Sequence, residues 1–99
     1  MEFEWDEAKR QAVKTARGID LLDAALIFEG PVVTRVDDRR DYGETRFISL
    51  GLVDGEVFAV VHTERGGTRR LITAWKGGRD ERTRYQASLA RRNPGDEEA

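Results

Sequence analysis

The sequence predicts a small α+β domain. We expect an antiparallel sheet, a three-strand meander plus one or two further strands, with two N-terminal helices on one face and a C-terminal helix. Its 99 residues suit one domain with one core, here residues 1–92. Segments with helical spacing come first, and β-branched segments joined by short glycine turns follow. Residues 93–99 are expected to form an acidic, disordered tail.

The N-terminal segment has the pattern of a short strand followed by a helix. Phe3 and Trp5 alternate with acidic residues, which is typical of a strand with one apolar face. Asp6 is a good N-cap for a helix that continues to Arg17, and Gly18 can end that helix. The sequence therefore places a helix directly after the first strand.

A second helix is expected between Asp20 and Pro31. Asp20 can cap it, and Glu29-Gly30-Pro31 ends it. Its apolar residues form one stripe: Leu21, Leu22, Ala25, Leu26 and Phe28. Such a stripe requires a sheet to cover.

Four further segments read as strands, at residues 32–36, 45–53, 56–65 and 68–76. Asp54-Gly55 and Gly66-Gly67 predict two-residue hairpin turns, because these residues tolerate positive φ angles. Residues 37–43 are highly charged and are expected to form a mobile loop. A third helix is predicted over residues 80–91, where Tyr85 and Leu89 are four apart and form a narrow apolar seam.

The two turns fix a register, and the register predicts two sheet faces. It places His62 opposite Phe47 and Leu71, and Phe58 opposite Trp75. One face is almost wholly apolar and is expected to lie under the first two helices: Ile48, Leu50, Leu52, Val57, Ala59, Val61, Ile72 and Ala74. The other mixes apolar and polar residues and is expected to be an open cleft: Phe47, Ser49, Phe58, Val60, His62, Glu64, Arg69, Leu71, Thr73 and Trp75.

Composition excludes several classes of function. The chain has no cysteine, so disulfides, cysteine zinc sites and thiolate nucleophiles are excluded. Its acidic N-terminus is unlike a signal peptide, and we expect a soluble cytoplasmic protein that needs no cofactor or metal. Residues 1–63 carry 8 basic and 13 acidic side chains, whereas residues 64–92 carry 9 and 3. The basic segment is either a phosphate-binding surface or the solvated face of a helix.

The mixed face carries groups that suit RNA cleavage without a metal. That reaction removes a proton from the 2′-hydroxyl, protonates the leaving oxygen and neutralises charge on the phosphate. His62, with an ordinary pKa of about 6.5, and Glu64 are the expected acid and base. Cations that could bind the phosphate are Arg65, Arg69 and Lys76.

The residues alone leave structural roles open. His62 can equally be a hydrogen-bonded sheet residue, and Glu64 can form an ordinary cross-strand pair with Arg69. Trp75 can either pair with Phe58 or stack on a nucleobase.

Seven pieces of the sequence, in order, resemble one toxin family. They are Phe3-Glu4-Trp5-Asp6 with Ala8-Lys9; Arg17-Gly18-Ile19; Ala24-Ala25 before Ile27-Phe28; Arg46-Phe47-Ile48 with Leu50-Gly51; Val60 to Arg65; Arg70 to Ala74; and Glu81-Arg82 with Tyr85. Together they resemble the BrnT-type toxins of bacterial type II toxin-antitoxin systems, which have a RelE-like fold.

The resemblance implies a ribonuclease that cleaves cellular RNA and arrests growth. It also implies a BrnA-type ribbon-helix-helix antitoxin as partner, and binding of the pair to promoter DNA through the antitoxin. By position, the family motif matches His62, Glu64 and Arg65 at the end of one strand and Arg70 at the start of the next. Further residues expected to bind RNA or phosphate are Arg69, Trp75, Arg79 and Arg82.

Two positions depart from the family pattern. Trp75 stands where the family usually has Arg, so a phosphate-binding cation is missing there, for which Lys76 or Arg79 could substitute. Ala16-Arg17-Gly18 stands where the family usually has Lys-His-Gly. A catalytically weak or inactive module that binds a partner protein or nucleic acid through the basic segment is therefore the alternative function. A purely structural subunit is a third reading, which no feature of the sequence demands.

Overall fold

A computed structural model describes residues 1–92 and confirms the α+β class. Helices α1, α2 and α3 span Glu7–Arg17, Leu21–Ala24 and Arg79–Arg92, and a 3₁₀ segment spans Ala25–Glu29. The strands are β1 (Glu2–Trp5), β2 (Val33–Val36), β3 (Phe47–Val53), β4 (Glu56–Arg65) and β5 (Thr68–Lys76). The predicted disordered tail, residues 93–99, lies outside the described residues.

The five strands form one sheet in the order β1-β5-β4-β3-β2. Strands β2 to β5 pair antiparallel, as predicted, whereas β1 pairs with β5 in parallel. The sheet is therefore mixed, although a wholly antiparallel sheet was predicted. A parallel neighbour requires a long connection. The helices and three strands between β1 and β5 supply it.

Both predicted hairpin turns are confirmed. Asp54 and Gly55 have φ angles of 51° and 79°, and Gly66 and Gly67 have φ angles of 52° and 89°. Positive φ at both central residues matches the right-handed twist of the flanking strands. These turns set the pairing of β3 with β4 and of the first half of β5 with β4.

A β-bulge changes the register in the second half of β5. His62 lies opposite Leu71 as predicted, but Val61 lies opposite Thr73, which leaves Ile72 as an extra residue. The predicted pairing of Phe58 with Trp75 is therefore wrong. Phe58 lies opposite Lys76, and Trp75 lies opposite Ala59 on the other side of the sheet. The bulge lets Leu71 and Ala74 face the same core despite their odd spacing.

The predicted cover of the two faces is also wrong. Helix α2 and the 3₁₀ segment cover the face that carries Val60, Leu71 and Ala74, here called the α2 face. Helix α3 packs on the opposite α3 face, whose core residues are Ile48, Leu50, Val57, Ala59 and Val61. Both faces offer apolar residues, so alternation along the strands does not decide which helices cover which face.

Two close contacts fix the helical segments on the sheet. On the α2 face, a Cβ at Gly51 would lie 2.6 Å from the Cβ of Ile27, so glycine allows the 3₁₀ segment to approach β3. On the α3 face, Tyr85 is buried and its hydroxyl donates to the Pro31 carbonyl at 2.9 Å, with Leu89 beside it. The predicted Tyr85 and Leu89 seam is thereby confirmed.

The helix caps follow the sequence. Asp6 accepts from the backbone at the start of α1, and Gly18 ends it with a φ of 69°. Asp20 caps α2 and accepts two hydrogen bonds from Arg10, whose guanidinium holds the pKa of that carboxyl at about 2. Within residues 1–92, no helix is long and apolar enough to span a membrane.

Candidate functional site

A chain of hydrogen bonds crosses the α2 face. The Thr34 and Ser49 hydroxyls lie 2.7 Å apart, and Ser49 Oγ lies 2.8 Å from His62 Nε2. His62 Nδ1 lies 2.7 Å from Glu64 Oε2, and Arg69 donates to both carboxylate oxygens at 2.8 and 3.1 Å. The structure thus brings His62, Glu64 and Arg69 together, as the strand pairing predicted.

Two phenylalanine rings cover the His62 end of this hydrogen-bond network. His62 is only 2% exposed, because Phe28 of the 3₁₀ segment meets its ring edge-on at 5.2 Å and Phe47 stacks on it at 5.7 Å. The Arg69 guanidinium lies 4.1 Å from the centre of the Phe28 ring. The mixed face is therefore covered by the 3₁₀ segment, and the predicted open cleft around His62 is absent among the described residues.

Protonation follows from this environment. Burial lowers the pKa of His62, against the opposing effect of its hydrogen bond to Glu64. Burial raises the pKa of Glu64, but the hydrogen bonds from Arg69 and His62 outweigh it, so the pKa of Glu64 is lowered overall. The ionised carboxylate only accepts, so Nδ1 of a neutral His62 donates and Nε2 accepts from Ser49.

The order hydroxyl, imidazole, carboxylate is that of hydrolase triads. Ser49, however, is 0% exposed. A nucleophile must touch its substrate, so Ser49 cannot act as one in this structure. The chain instead links β2, β3, β4 and β5 through their side chains.

Arg65 and Arg70 lie on the α3 face. Arg65 Nη1 and Arg70 Nη1 lie 3.9 and 3.6 Å from the same atom, Glu4 Oε1 of β1. Arg65 Nη2 also donates to Glu44 at 3.1 Å. The side chains of Arg65, Arg70 and Glu4 are 55%, 34% and 41% exposed, so a ligand can reach all three. The sequence separates His62 and Arg65 by three residues, and strand alternation puts them on opposite faces.

The convergence of two guanidiniums on Glu4 was missed by the sequence reasoning. Its only signal is that Glu4 alternates with Phe3 and Trp5, and so faces away from the core that they join. What Glu4 meets on that side depends on the parallel pairing of β1 with β5, which places Glu4 opposite Arg70.

Arg46 and Thr63 continue this side of the sheet toward β3. Thr63 pairs with Arg70, and the register of Phe47 with His62, continued by one residue, places Arg46 beside Thr63. Thr63 is 2% exposed. Within residues 1–92, neither Thr63 Oγ1 nor the buried Nε of Arg46 has a hydrogen-bond partner. From the sequence, the function was assigned to the opposite face of the sheet, and neither residue was given a role.

Trp75 lies partly buried on the α3 face, with two cations beside its ring. The guanidinium carbons of Arg17 and Arg39 lie 5.8 and 5.6 Å from the ring centre. Arg17 also donates to the Thr73 hydroxyl and the Ala74 carbonyl. Arg39 pairs with buried Asp37 at 2.7 Å, which holds the pKa of that carboxyl at about 2. Cations from other segments thus surround position 75.

The remaining predicted residues lie apart from His62. Lys76 pairs with Glu56 at 2.9 Å near the β3–β4 turn. It lies opposite Phe58, four residues along β4 from His62, which corresponds to about 13 Å along a strand. Arg79 and Arg82 are in the first turn of α3. In residues 1–92 no group of three carboxylate or histidine side chains could hold a metal ion.

The fold and these clusters define a small α+β protein with an exposed pair of guanidiniums on a mixed sheet. Comparison with protein families gives the particular group. The family described as the ribonuclease toxin BrnT of type II toxin-antitoxin systems matches residues 5–81, and the chain belongs to this family. No curated protein shows significant similarity to it.

Proposed function

We propose that the protein is a metal-independent endoribonuclease of the bacterial cytoplasm that cleaves cellular RNA and arrests growth. A BrnA-type ribbon-helix-helix antitoxin neutralises it, and the pair binds promoter DNA. The observation that carries the catalytic proposal is the convergence of Arg65 and Arg70 on the Glu4 carboxylate at an exposed part of the α3 face. Two guanidiniums beside a carboxylate combine phosphate binding with proton acceptance.

In the proposed reaction, Arg65 and Arg70 bind the oxygens of the scissile phosphate. The Glu4 carboxylate accepts the proton of the 2′-hydroxyl as the 2′-oxygen forms a bond to phosphorus. The bond from phosphorus to the 5′-oxygen breaks, and that oxygen takes a proton from water. The products are a 2′,3′-cyclic phosphate and a 5′-hydroxyl, and the guanidiniums stabilise the added negative charge in the transition state.

His62 and Glu64 have a positioning role in this proposal. Their hydrogen bonds hold the end of β4, and the alternate residues Thr63 and Arg65 of that strand point to the α3 face. Direct proton transfer by His62 stays a competing prediction from the sequence. It requires Phe28 to move away before RNA can reach the ring.

The other residues expected to bind RNA differ in which face of the sheet they lie near. Trp75 lies on the α3 face, and Arg79 and Arg82 begin the helix that packs there. RNA bound at Arg65 and Arg70 can therefore extend toward them. Arg69 and Lys76 are each engaged by a carboxylate, on Glu64 and Glu56, and have no direct role in this proposal.

The test compares Glu4→Gln with His62→Gln, using Glu2→Gln as the matched control. Purified protein, freed of antitoxin, is incubated with single-stranded RNA in the presence of a chelator. If Glu4 is the base, Glu4→Gln loses roughly 100-fold or more in cleavage rate. Glu2→Gln should cleave at the wild-type rate, and His62→Gln at a rate that follows its folded fraction.

Two results would contradict the proposal in different ways. Full activity of Glu4→Gln together with a folded but inactive His62→Gln would assign the proton transfer to His62. Wild-type protein that binds RNA but cleaves none, with or without chelator, would favour the non-catalytic binding module instead. Products that lack 2′,3′-cyclic or 3′-phosphate ends would reject attack by the 2′-hydroxyl.

A further inference from the structure

A row of polar residues crosses the end of the α3 face that lies near the β4–β5 turn. Glu4, Arg70 and Thr63 lie side by side on β1, β5 and β4. Continuing the β3–β4 register by one residue places Arg46, which immediately precedes β3, beside Thr63. Neighbouring strands lie about 4.8 Å apart, so the guanidiniums of Arg70 and Arg46 can reach toward the hydroxyl between them. We call Arg70, Thr63 and Arg46 the polar row.

The middle of the polar row holds unused hydrogen-bonding capacity. Thr63 Oγ1 and Arg46 Nε are buried, and within the described part of the chain no protein group is bonded to either. Leaving a buried donor unsatisfied is unfavourable, and most such groups in native proteins have a partner. Two unsatisfied groups on neighbouring segments therefore point to a ligand that accepts hydrogen bonds.

The charges around the row favour an anion. Arg65 and Arg70 share the Glu4 carboxylate, and Arg65 also pairs with Glu44. Arg46, by contrast, has no carboxylate partner anywhere in residues 1–92, and its guanidinium stacks on Tyr42 at 4.0 Å. An aromatic ring thus holds this cation in place, and no carboxylate of the described residues neutralises it.

A cavity of about 170 Å³ adjoins these cations. Its walls include Asp6, Lys9, Glu44, Arg46, Arg70 and Ile72. Of its two carboxylates, Glu44 is already paired with Arg65 and Asp6 caps α1. Lys9, Arg46 and Arg70 leave an excess of positive charge, and the volume is sufficient for a phosphate group.

We propose that the polar row is a second phosphate-binding site, for an RNA phosphate adjacent to the one that Arg65 and Arg70 hold for cleavage. Thr63 Oγ1 and Arg46 Nε are buried, so the side chains over them move aside before Arg46 donates from Nε and Thr63 donates its hydroxyl to the phosphate. Arg70 lies between the two phosphates. The inference rests on the proposed function in taking RNA as the ligand and in placing the cleaved phosphate at Arg65 and Arg70. It assigns Arg46 and Thr63 to substrate positioning.

Thr63→Val is the most specific test, because valine has nearly the same shape and lacks only the hydroxyl. Among residues 1–92 the hydroxyl has no hydrogen-bond partner, so Thr63→Val should unfold at a temperature no lower than the wild type. Binding is measured by fluorescence anisotropy with a short 2′-O-methyl oligouridylate, which cannot be cleaved because its 2′-oxygen is blocked. Thr63→Val should bind this probe about tenfold more weakly, as expected for loss of a hydrogen bond to a charged group.

Salt dependence separates the two residues. Arg46→Gln removes one cation from a phosphate, so the slope of log affinity against log salt should decrease by about 0.7. Thr63→Val removes no charge and should keep the wild-type slope. Lys14→Gln, which removes an exposed cation of α1, is the control and should change neither affinity nor slope appreciably.

The site is refuted if Thr63→Val binds the probe as tightly as the wild type, or if Arg46→Gln changes the slope no more than Lys14→Gln does. Failure of the wild type to bind the probe also refutes it. Cleavage of unmodified RNA is measured separately. Wild-type protein that binds the probe with the expected variant pattern but cleaves no RNA would refute the catalytic proposal and retain this site.

Discussion

Mild acid should destabilise the protein through His62, and His62→Gln should remove that effect. The ring is buried between Phe28 and Phe47, and burial lowers its pKa below the ordinary value of 6.5. The unfolded chain then binds a proton at a higher pH than the folded protein does. By linkage, the stability due to the neutral folded ring is complete above about pH 6.5 and is lost as the pH falls toward the folded pKa.

The size of the pH effect follows from the single proton that His62 binds on unfolding. Between the folded and unfolded pKa values, the free energy of unfolding should fall by up to about 1.4 kcal/mol for each pH unit. Carboxylates act in a different range. Asp20 and Asp37 have folded pKa values of about 2, so their contribution is lost only below their unfolded values near 4. The pKa values of Glu64 and Glu7 are also lowered, so the stability that these carboxylates contribute is lost only as the pH falls below their unfolded values near 4.5. The range from about pH 5 to 6.5 therefore reports mainly on His62.

The assay is urea unfolding at several pH values across that range, with wild type and His62→Gln measured in parallel. Gln does not titrate and can keep one of the hydrogen bonds to Ser49 or Glu64, so the variant should be less stable at neutral pH by about 1–3 kcal/mol. Its stability should nevertheless be nearly independent of pH between about 5 and 6.5. Parallel pH dependences for the two proteins would refute the reasoning.

Three other outcomes are expected. Gly51→Ala should lower the free energy of unfolding by about 1–3 kcal/mol, because its Cβ would lie 2.6 Å from that of Ile27. The control in thermal melts is Gly30→Ala, whose Cβ would meet no atom of residues 1–92 within 4 Å. Tyr85→Phe should cost about 1 kcal/mol in chemical unfolding, since the Pro31 carbonyl loses a donor, and an unchanged midpoint would contradict that bond. We expect the antitoxin to cover the α3 face and the basic helix α3, and we expect electrostatic attraction to speed its association. Salt screens such attraction, so the association rate constant, measured by stopped flow, should fall with added salt. An association rate constant that does not change with salt would contradict electrostatic attraction.

Local features of this protein could be predicted from the sequence. Asp6 and Gly18 bound α1 as cap residues do, and Asp54-Gly55 and Gly66-Gly67 adopt the positive φ angles that their residue types favour. Once the second turn is known, counting along β4 and β5 places Glu64 opposite Arg69. These outcomes depend on residues close in sequence, so local conformational preference decides them.

Part of the candidate site could be predicted for the same reason. His62 and Glu64 are two residues apart on one strand, and their shared face follows from strand alternation. The burial of His62 could not be predicted, because it depends on Phe28, which lies more than thirty residues earlier in the chain. Alternation groups residues by face but does not say which face a helix will cover.

Only the tertiary structure decided the cover of the sheet, the bulge at Ile72 and the position of β1. Val60, Leu71 and Ala74 form as apolar a surface as the opposite face, so the choice depends on how Leu21 and its neighbours pack. Glu4 contacts Arg65 and Arg70 although these residues lie about sixty positions further along the chain. The contact depends on the parallel pairing of β1 with β5, and no short turn in the sequence indicates that pairing. Contacts of this kind depend on the packing of the whole chain, and no local pattern of residues encodes them.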